Sequence, residues 1–121
     1  MATTALIVDD HVGFRSTVRV LLELEGFEVV GEAGYGASAV ATADALRPDV
    51  VILDVQLHDA TGFDVARELM DRGLARQVVL VSSREASDYG DQITASSAVG
   101  FLPKSELSGP ALRELLFGRP A

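Results

Sequence analysis

The sequence predicts an α/β fold: a doubly wound, five-stranded parallel sheet in the order 2-1-3-4-5, covered by five helices. Three observations predict it. Short unbroken apolar runs, such as ALIV at 5–8, VVIL at 50–53 and VVLV at 78–81, recur along the chain; unbroken runs suit strands buried on both faces, as in parallel sheets. These runs alternate with stretches of helical spacing, and right-handed crossovers then leave the doubly wound order as the leading topology. Finally, several runs end in charge: Asp9-Asp10 after the first, Asp54 after the third and, through Pro103, Lys104 after the last.

Residues 4–9 read as a buried strand. Phe14, Val18, Leu21 and Leu22 recur at i, i+4, i+7 and i+8 and mark an amphipathic helix that Gly26 stops. FEVVGEA at 27–33 is a more alternating strand, suited to an edge. Residues 37–47 are alanine-rich and helical until Arg47-Pro48, with a start capped by Ser38 or by the preceding loop. DVVILD at 49–54 is the most hydrophobic strand and belongs at the centre. Gly62 introduces a helix over 63–72 with Phe63, Ala66 and Met70 on one face, and QVVLVS at 77–82 is the fourth strand. Residues 85–98 form a marginal helix, weakened by Gly90 and three serines. GFLP at 100–103 is a short fifth strand. Ser108 caps a last helix, Pro110 fits its first turn, and Gly118 with Pro120 ends it.

Residues 1–121 make a single domain, since this length supports one core but not two. With 48% apolar residues and four prolines the chain is not disordered. A net charge of −8 argues against direct nucleic-acid binding by this domain, which depends on neutralising phosphates. The absence of cysteine excludes disulfides, thiolate metal sites and cysteine nucleophiles. No apolar run approaches the ~18–20 residues that span a bilayer, and Met1-Ala2-Thr3-Thr4 lacks the features of a signal peptide. A cytoplasmic protein is expected.

If the charged ends belong to neighbouring parallel strands, three carboxylates and one ammonium share the crevice where open α/β sheets place their ligands. Carboxylates suit a hard divalent cation, and the ammonium suits a phosphoryl group. Lys104 is the only lysine beside nine arginines. Coding bias explains that scarcity but not the position. Asp10 equally fits a cap on the helix beginning near Val12, whereas Asp54 lies well ahead of its next helix. Taken alone, Lys104 is an ordinary surface charge. Gly34-Tyr35-Gly36-Ala37-Ser38-Ala39 matches a dinucleotide-binding fingerprint, but it follows the second strand and the chain is too short for such a domain.

IVDDH at 7–11, ILDVQLHDATGFD at 52–64, VSS at 81–83 and GFLPKSEL at 100–107 together resemble the receiver domain of two-component response regulators, with its flavodoxin-like fold. The last two stretches look most like receivers that precede helix-turn-helix output domains. The resemblance covers essentially the whole chain and implies a set of roles. Asp54 is the phosphoacceptor, taking a phosphoryl group from a phosphohistidine of a sensor histidine kinase or phosphotransfer protein. Asp10, Asp54 and the backbone carbonyl of Gln56 hold Mg²⁺, with Asp9 acting through water, and Lys104 neutralises a phosphoryl oxygen. Ser82 and Phe101 form the switch: the hydroxyl moves to the phosphate and the aromatic ring turns inward. Ordinary core packing is the competing account of Phe101, and a strand-end turn that of Ser82. Apart from self-phosphorylation and autodephosphorylation, no enzyme activity is implied.

The flanking residues Arg84 and His58 are expected near the phosphoryl group, Arg84 prolonging its life. His58 stands where the family commonly has proline and is read as an exposed loop histidine, not a metal ligand. Ser105 stands where many receivers have proline after a cis bond; a cis bond before serine costs about 2.5–4 kcal/mol, so trans is expected. The segment 85–117 is the expected responsive face, open to a partner or a homodimer. The chain is either a stand-alone regulator or the receiver part of a longer one. The alternatives are a haloacid-dehalogenase-like Mg²⁺-dependent phosphatase, disfavoured by the neutral Gln56 two residues after the nucleophile, and a degenerate receiver serving only as an interaction module.

Overall fold

In a computed structural model that describes residues 2–118, the five strands lie parallel in the order β2-β1-β3-β4-β5. They are β1 (Thr4–Val8), β2 (Glu28–Ala33), β3 (Val50–Asp54), β4 (Gln77–Ser82) and β5 (Gly100–Pro103). Between them run α1 (Val12–Leu24), α2 (Gly36–Leu46) and α3 (Gly62–Asp71), with α4 (Gly109–Phe117) after β5. β3 is buried at all five positions and β2 is an edge strand, as the apolar runs predicted.

Two apolar layers cover the sheet. Alternate strand residues Leu6, Val8, Val51, Leu53, Val78 and Leu80 pack with α2 and α3. The intervening Ala5, Ile7, Val50, Ile52, Val79 and Val81 pack with Val18 and Leu22 of α1 and Leu112 and Leu116 of α4. Each large aliphatic side chain so buried contributes roughly 1.5–3 kcal/mol. This double cover makes the sheet a rigid platform for its carboxyl ends.

One predicted helix is absent. Four α-helices stand among the described residues, and 85–98 instead holds two short 3₁₀ turns, Ala86–Asp88 and Gly90–Gln92. Gly90 adopts a positive φ of 56°, which no helix interior uses. The Ser96 and Thr94 hydroxyls donate to the carbonyls of Ile93 and Asp91, and Ser96 Oγ accepts from Ala98 N. These local bonds compete with a helical ladder.

The expected face of α3 packs on the core, with Ala66 buried and Phe63 and Met70 partly buried against it, and it is wider than expected, since Val65 and Leu69 are buried too. Thr61 caps this helix by accepting from Asp64 N. Ser38 does not cap α2 from in front; it lies in the first turn and exchanges hydrogen bonds with the Tyr35 backbone. The free N–H groups of Gly36 and Ala37 donate instead to the Asp59 carboxylate, at 2.7 and 3.0 Å. These bonds hold Asp59 below the usual carboxylate range although it is fully exposed. Ser108 and Pro110 start α4, and Gly118 ends it; Pro120 lies outside the described residues. No cis peptide bond is found among the described residues, so Lys104–Ser105 is trans as expected.

Candidate functional site

Strand register assembles the site. Val8 pairs with Leu53, Asp54 with Val81, and Ser82 with Pro103. Asp9, Asp54, Ser82 and Lys104 therefore leave or end four adjacent strands at the same edge, where the strand order reverses between β1 and β3. Asp9 and Ser82 are fully buried, and Asp54 is 4% exposed.

Lys104 organises the charges. Its Nζ lies 2.7 Å from Asp9 Oδ2 and 3.6 Å from Asp54 Oδ2. It also stands 4.1 Å over the Phe14 ring, a cation–π contact that strengthens as the ammonium loses water. Arg15, the next residue of α1, donates to the Asp9 carbonyl and reaches Glu32 at 3.0 Å. Burial pushes Glu32 up, but Arg19 and Arg15 outweigh it and hold the carboxyl below its usual range. The β1 end is thus anchored to α1 and β2.

Asp54 titrates unusually. Burial and the neighbouring charges of Asp9 and Asp10 push its carboxyl up to about 6, against the Gln56 backbone N–H and Lys104, which pull it down. The Gln56 N–H donates to Asp54 Oδ1 at 3.1 Å. At neutral pH the group remains mostly ionised while destabilised as an anion, which is the condition of a usable nucleophile.

Oxygens of Asp9, Asp10 and Asp54 and a nitrogen of His11 lie within 4.8 Å of one another. Asp9 Oδ2 and Asp10 Oδ1 are buried, and their near neighbours are the ion-pair partners Lys104 Nζ at 2.7 Å and His11 Nδ1 at 2.9 Å. A set of close, buried carboxylate oxygens suits a hard divalent cation, Mg²⁺ included. The capping account of Asp10 fails, because α1 is capped at His11 without a side-chain bond.

His58 is exposed, as expected, but it is not free of the site: Nε2 lies 2.9 Å from Asp10 Oδ2. His11 Nδ1 lies 2.9 Å from Asp10 Oδ1. Neither contact was legible in the sequence. Arg84 meets the site through its backbone, whose N–H donates to Ser82 Oγ at 3.1 Å; its side chain is exposed. Phe101 is partly buried against Tyr89, with ring centroids 5.8 Å apart. Tyr89 is the neighbour the sequence hid most thoroughly, since its hydroxyl lies 2.6 Å from Ser82 Oγ. Gly34 and Gly36 bound a turn: a side chain at Gly36 would meet Ala60 and Val65, both at 3.0 Å.

Gly62 sets how the Asp54 loop closes. Its N–H donates to the Val55 carbonyl at 2.6 Å, and a Cβ there would press on the Asp54 and Val55 backbone, 2.8 Å from Val55 Cα. Gly62→Ala is expected to lower stability by about 1–3 kcal/mol through this overpacking. Urea melts check it: an unchanged midpoint would show that the loop yields without cost.

This architecture is an open parallel sheet with a lysine and an acidic cluster that could hold a metal ion at its switch point. The chain belongs to the response regulator receiver domain family, whose family model matches residues 5–116. It is 40% identical over 100 residues to the nitrate/nitrite response regulator protein NarP of Escherichia coli, covering 82% of this chain and 46% of that protein. It is 33% identical over 102 residues to the DNA-binding transcriptional activator EvgA of Escherichia coli, covering 84% and 50%. A signal receiver domain assigned to a response regulator NarL of Mycobacterium tuberculosis superposes with a TM-score of 0.85 at 30% identity, covering 98% of each chain. The chain spans about half the length of the curated relatives it matches. No helix among the described residues is long and apolar enough to cross a membrane.

Proposed function

We propose that residues 1–121 form one receiver domain that accepts a phosphoryl group on Asp54 from a histidine kinase or phosphotransfer protein. The observation that carries this reading is Lys104 Nζ standing between the buried carboxylates of Asp9 and Asp54. An Asp54 carboxylate oxygen attacks the phosphorus of the phosphohistidine. The O–P bond forms as the P–N bond breaks, and the departing nitrogen keeps the electron pair and leaves as imidazole. Lys104 faces a phosphoryl oxygen as charge spreads over the transferring group. The Ser82 hydroxyl donates to another. Asp9, Asp10, Asp54 and the Gln56 carbonyl are the residues that would hold Mg²⁺, Asp9 through water. When bound, the cation supplies the charge neutralisation that lets an anionic group approach three carboxylates.

The new phosphate carries about −1.5 to −2 charge and strong acceptor oxygens, and its bond to Ser82 biases Phe101 and the face over residues 85–117. That face docks a protein partner or a second copy of the chain in the cytoplasm, and the likeness to a transcriptional activator suggests that the event controls transcription. This acidic domain does not itself touch nucleic acid. Arg84 and His58 flank the phosphoryl group.

Intact-mass analysis after incubation with acetyl phosphate tests the reading. One phosphoryl adduct per chain is expected with Mg²⁺, and none with a chelator or in Asp54→Ala. Continuous turnover of an aryl phosphate, or an adduct that survives in Asp54→Ala, would overturn it in favour of a phosphatase or another acceptor.

A further inference from the structure

Ser82 is fully buried, and its hydroxyl already has two neighbours. Oγ accepts the Arg84 backbone N–H at 3.1 Å and lies 2.6 Å from the Tyr89 hydroxyl. A serine hydroxyl offers one proton and two lone pairs. Arg84 takes one lone pair. When Tyr89 donates into the other, the Ser82 proton is left for a third group; when Ser82 donates to Tyr89, that proton is spent. The two polarities distinguish a serine that can address an oxygen on Asp54 from one that cannot.

Tyr89 is firmly placed for this. Its ring stands edge-on to Phe63 at 5.5 Å and 74°, and to Phe101 at 5.8 Å and 67°. It also forms the joint of the weak segment, ending the Ala86–Asp88 turn and preceding the Gly90–Gln92 turn. Those turns bury no residue, so a single tether weighs heavily on how often they open.

We propose that Tyr89 is a positioning residue: its hydroxyl donates to Ser82, turns the Ser82 proton toward a phosphoryl oxygen on Asp54, and ties residues 86–92 to the occupancy of that site. The inference rests on Asp54 being the phosphoacceptor. A phosphoryl oxygen is a stronger acceptor than a phenol, so its arrival fixes the direction Tyr89 to Ser82 to phosphoryl, and bonds in such a chain strengthen one another. The segment 86–92 then closes over the site as a consequence of the same proton arrangement.

Tyr89→Phe keeps the ring between Phe63 and Phe101 and deletes only the hydroxyl. Beryllofluoride with Mg²⁺, a stable phosphoryl mimic for an aspartate, is the probe, its binding measured by calorimetry on the full chain. The parent is expected to bind it with slowed amide exchange over 86–92. Tyr89→Phe should bind it about five-fold more weakly, as for loss of one buried hydrogen bond, with no slowing of exchange. In a Ser82→Ala background the same substitution should change neither readout. Binding and exchange in Tyr89→Phe equal to the parent would overturn the proposal. So would a loss that persists undiminished in Ser82→Ala, because the hydroxyl would then act elsewhere. Failure of the parent to bind beryllofluoride at all would instead overturn the phosphoacceptor reading, and this inference with it.

Discussion

Replacing Lys104 with methionine is expected to lower the stability of the metal-free domain at neutral pH by about 2–4 kcal/mol, on the scale for breaking a buried ion pair with allowance for its partial exposure. Lys104 is the cation nearest the buried Asp9 carboxylate, and it also faces Asp54. Without it, the like charges of Asp9, Asp10 and Asp54 oppose one another with little water to screen them. Methionine keeps a long apolar stem against Phe14, so the change isolates the charge. Added Mg²⁺ should raise the melting temperature of Lys104→Met by more than that of the parent, since ligand-linked stabilisation grows with affinity and the variant site is more negative. Equal melting temperatures without metal, together with equal Mg²⁺ responses, would show that the ammonium does not serve these carboxylates.

The second expected result has the opposite sign. Asp54→Asn should stabilise the metal-free domain at pH 7 by about 2–3 kcal/mol, taking 1.36 kcal/mol per pKa unit. The folded-state value of Asp54 is raised from 3.8 to about 6. Between these values the folded chain binds more protons than the unfolded chain, so stability falls as pH rises through the window, and the full cost of the anion is present above about 6. Asparagine carries no such charge. Its carbonyl can still accept from the Gln56 N–H, and Lys104 keeps Asp9. The stability gap between variant and parent should therefore close as pH falls from 6 toward 4. Denaturant melts in chelator across that range provide the check; a gap independent of pH, or a destabilised variant, would contradict the assignment. A site residue whose removal stabilises the fold is one retained for its chemistry.

The architecture was legible because its strands are buried on both faces, so Ala5–Val8, Val50–Leu53 and Val78–Val81 carry their signal in local hydrophobicity. The charged strand ends were legible for a related reason: once the strands are parallel neighbours, topology alone brings Asp9, Asp54, Ser82 and Lys104 to one edge. What stayed hidden depends on side chains meeting across the chain. Nothing near Gly36 announces that its N–H finds Asp59, 23 residues later. Likewise the ring of Phe14 under Lys104, and His58 against Asp10, are contacts of the folded surface. The segment 85–98 departs from its expected helix because Gly90 takes a positive φ and the Thr94 and Ser96 hydroxyls satisfy the backbone locally. No local pattern announces that the Tyr89 hydroxyl meets Ser82.

The central claim is that these dispersed charges make Asp54, and no other group, the phosphoryl acceptor. It is tested most directly by borohydride reduction of the acetyl phosphate-treated chain, followed by peptide sequencing in a mass spectrometer. Reduction converts an aspartyl phosphate to homoserine, so the account predicts homoserine at position 54 alone, formed only when Mg²⁺ was present. Homoserine at Asp9 or Asp10, or a phosphate left on Ser82 or a histidine with Asp54 intact, would contradict it.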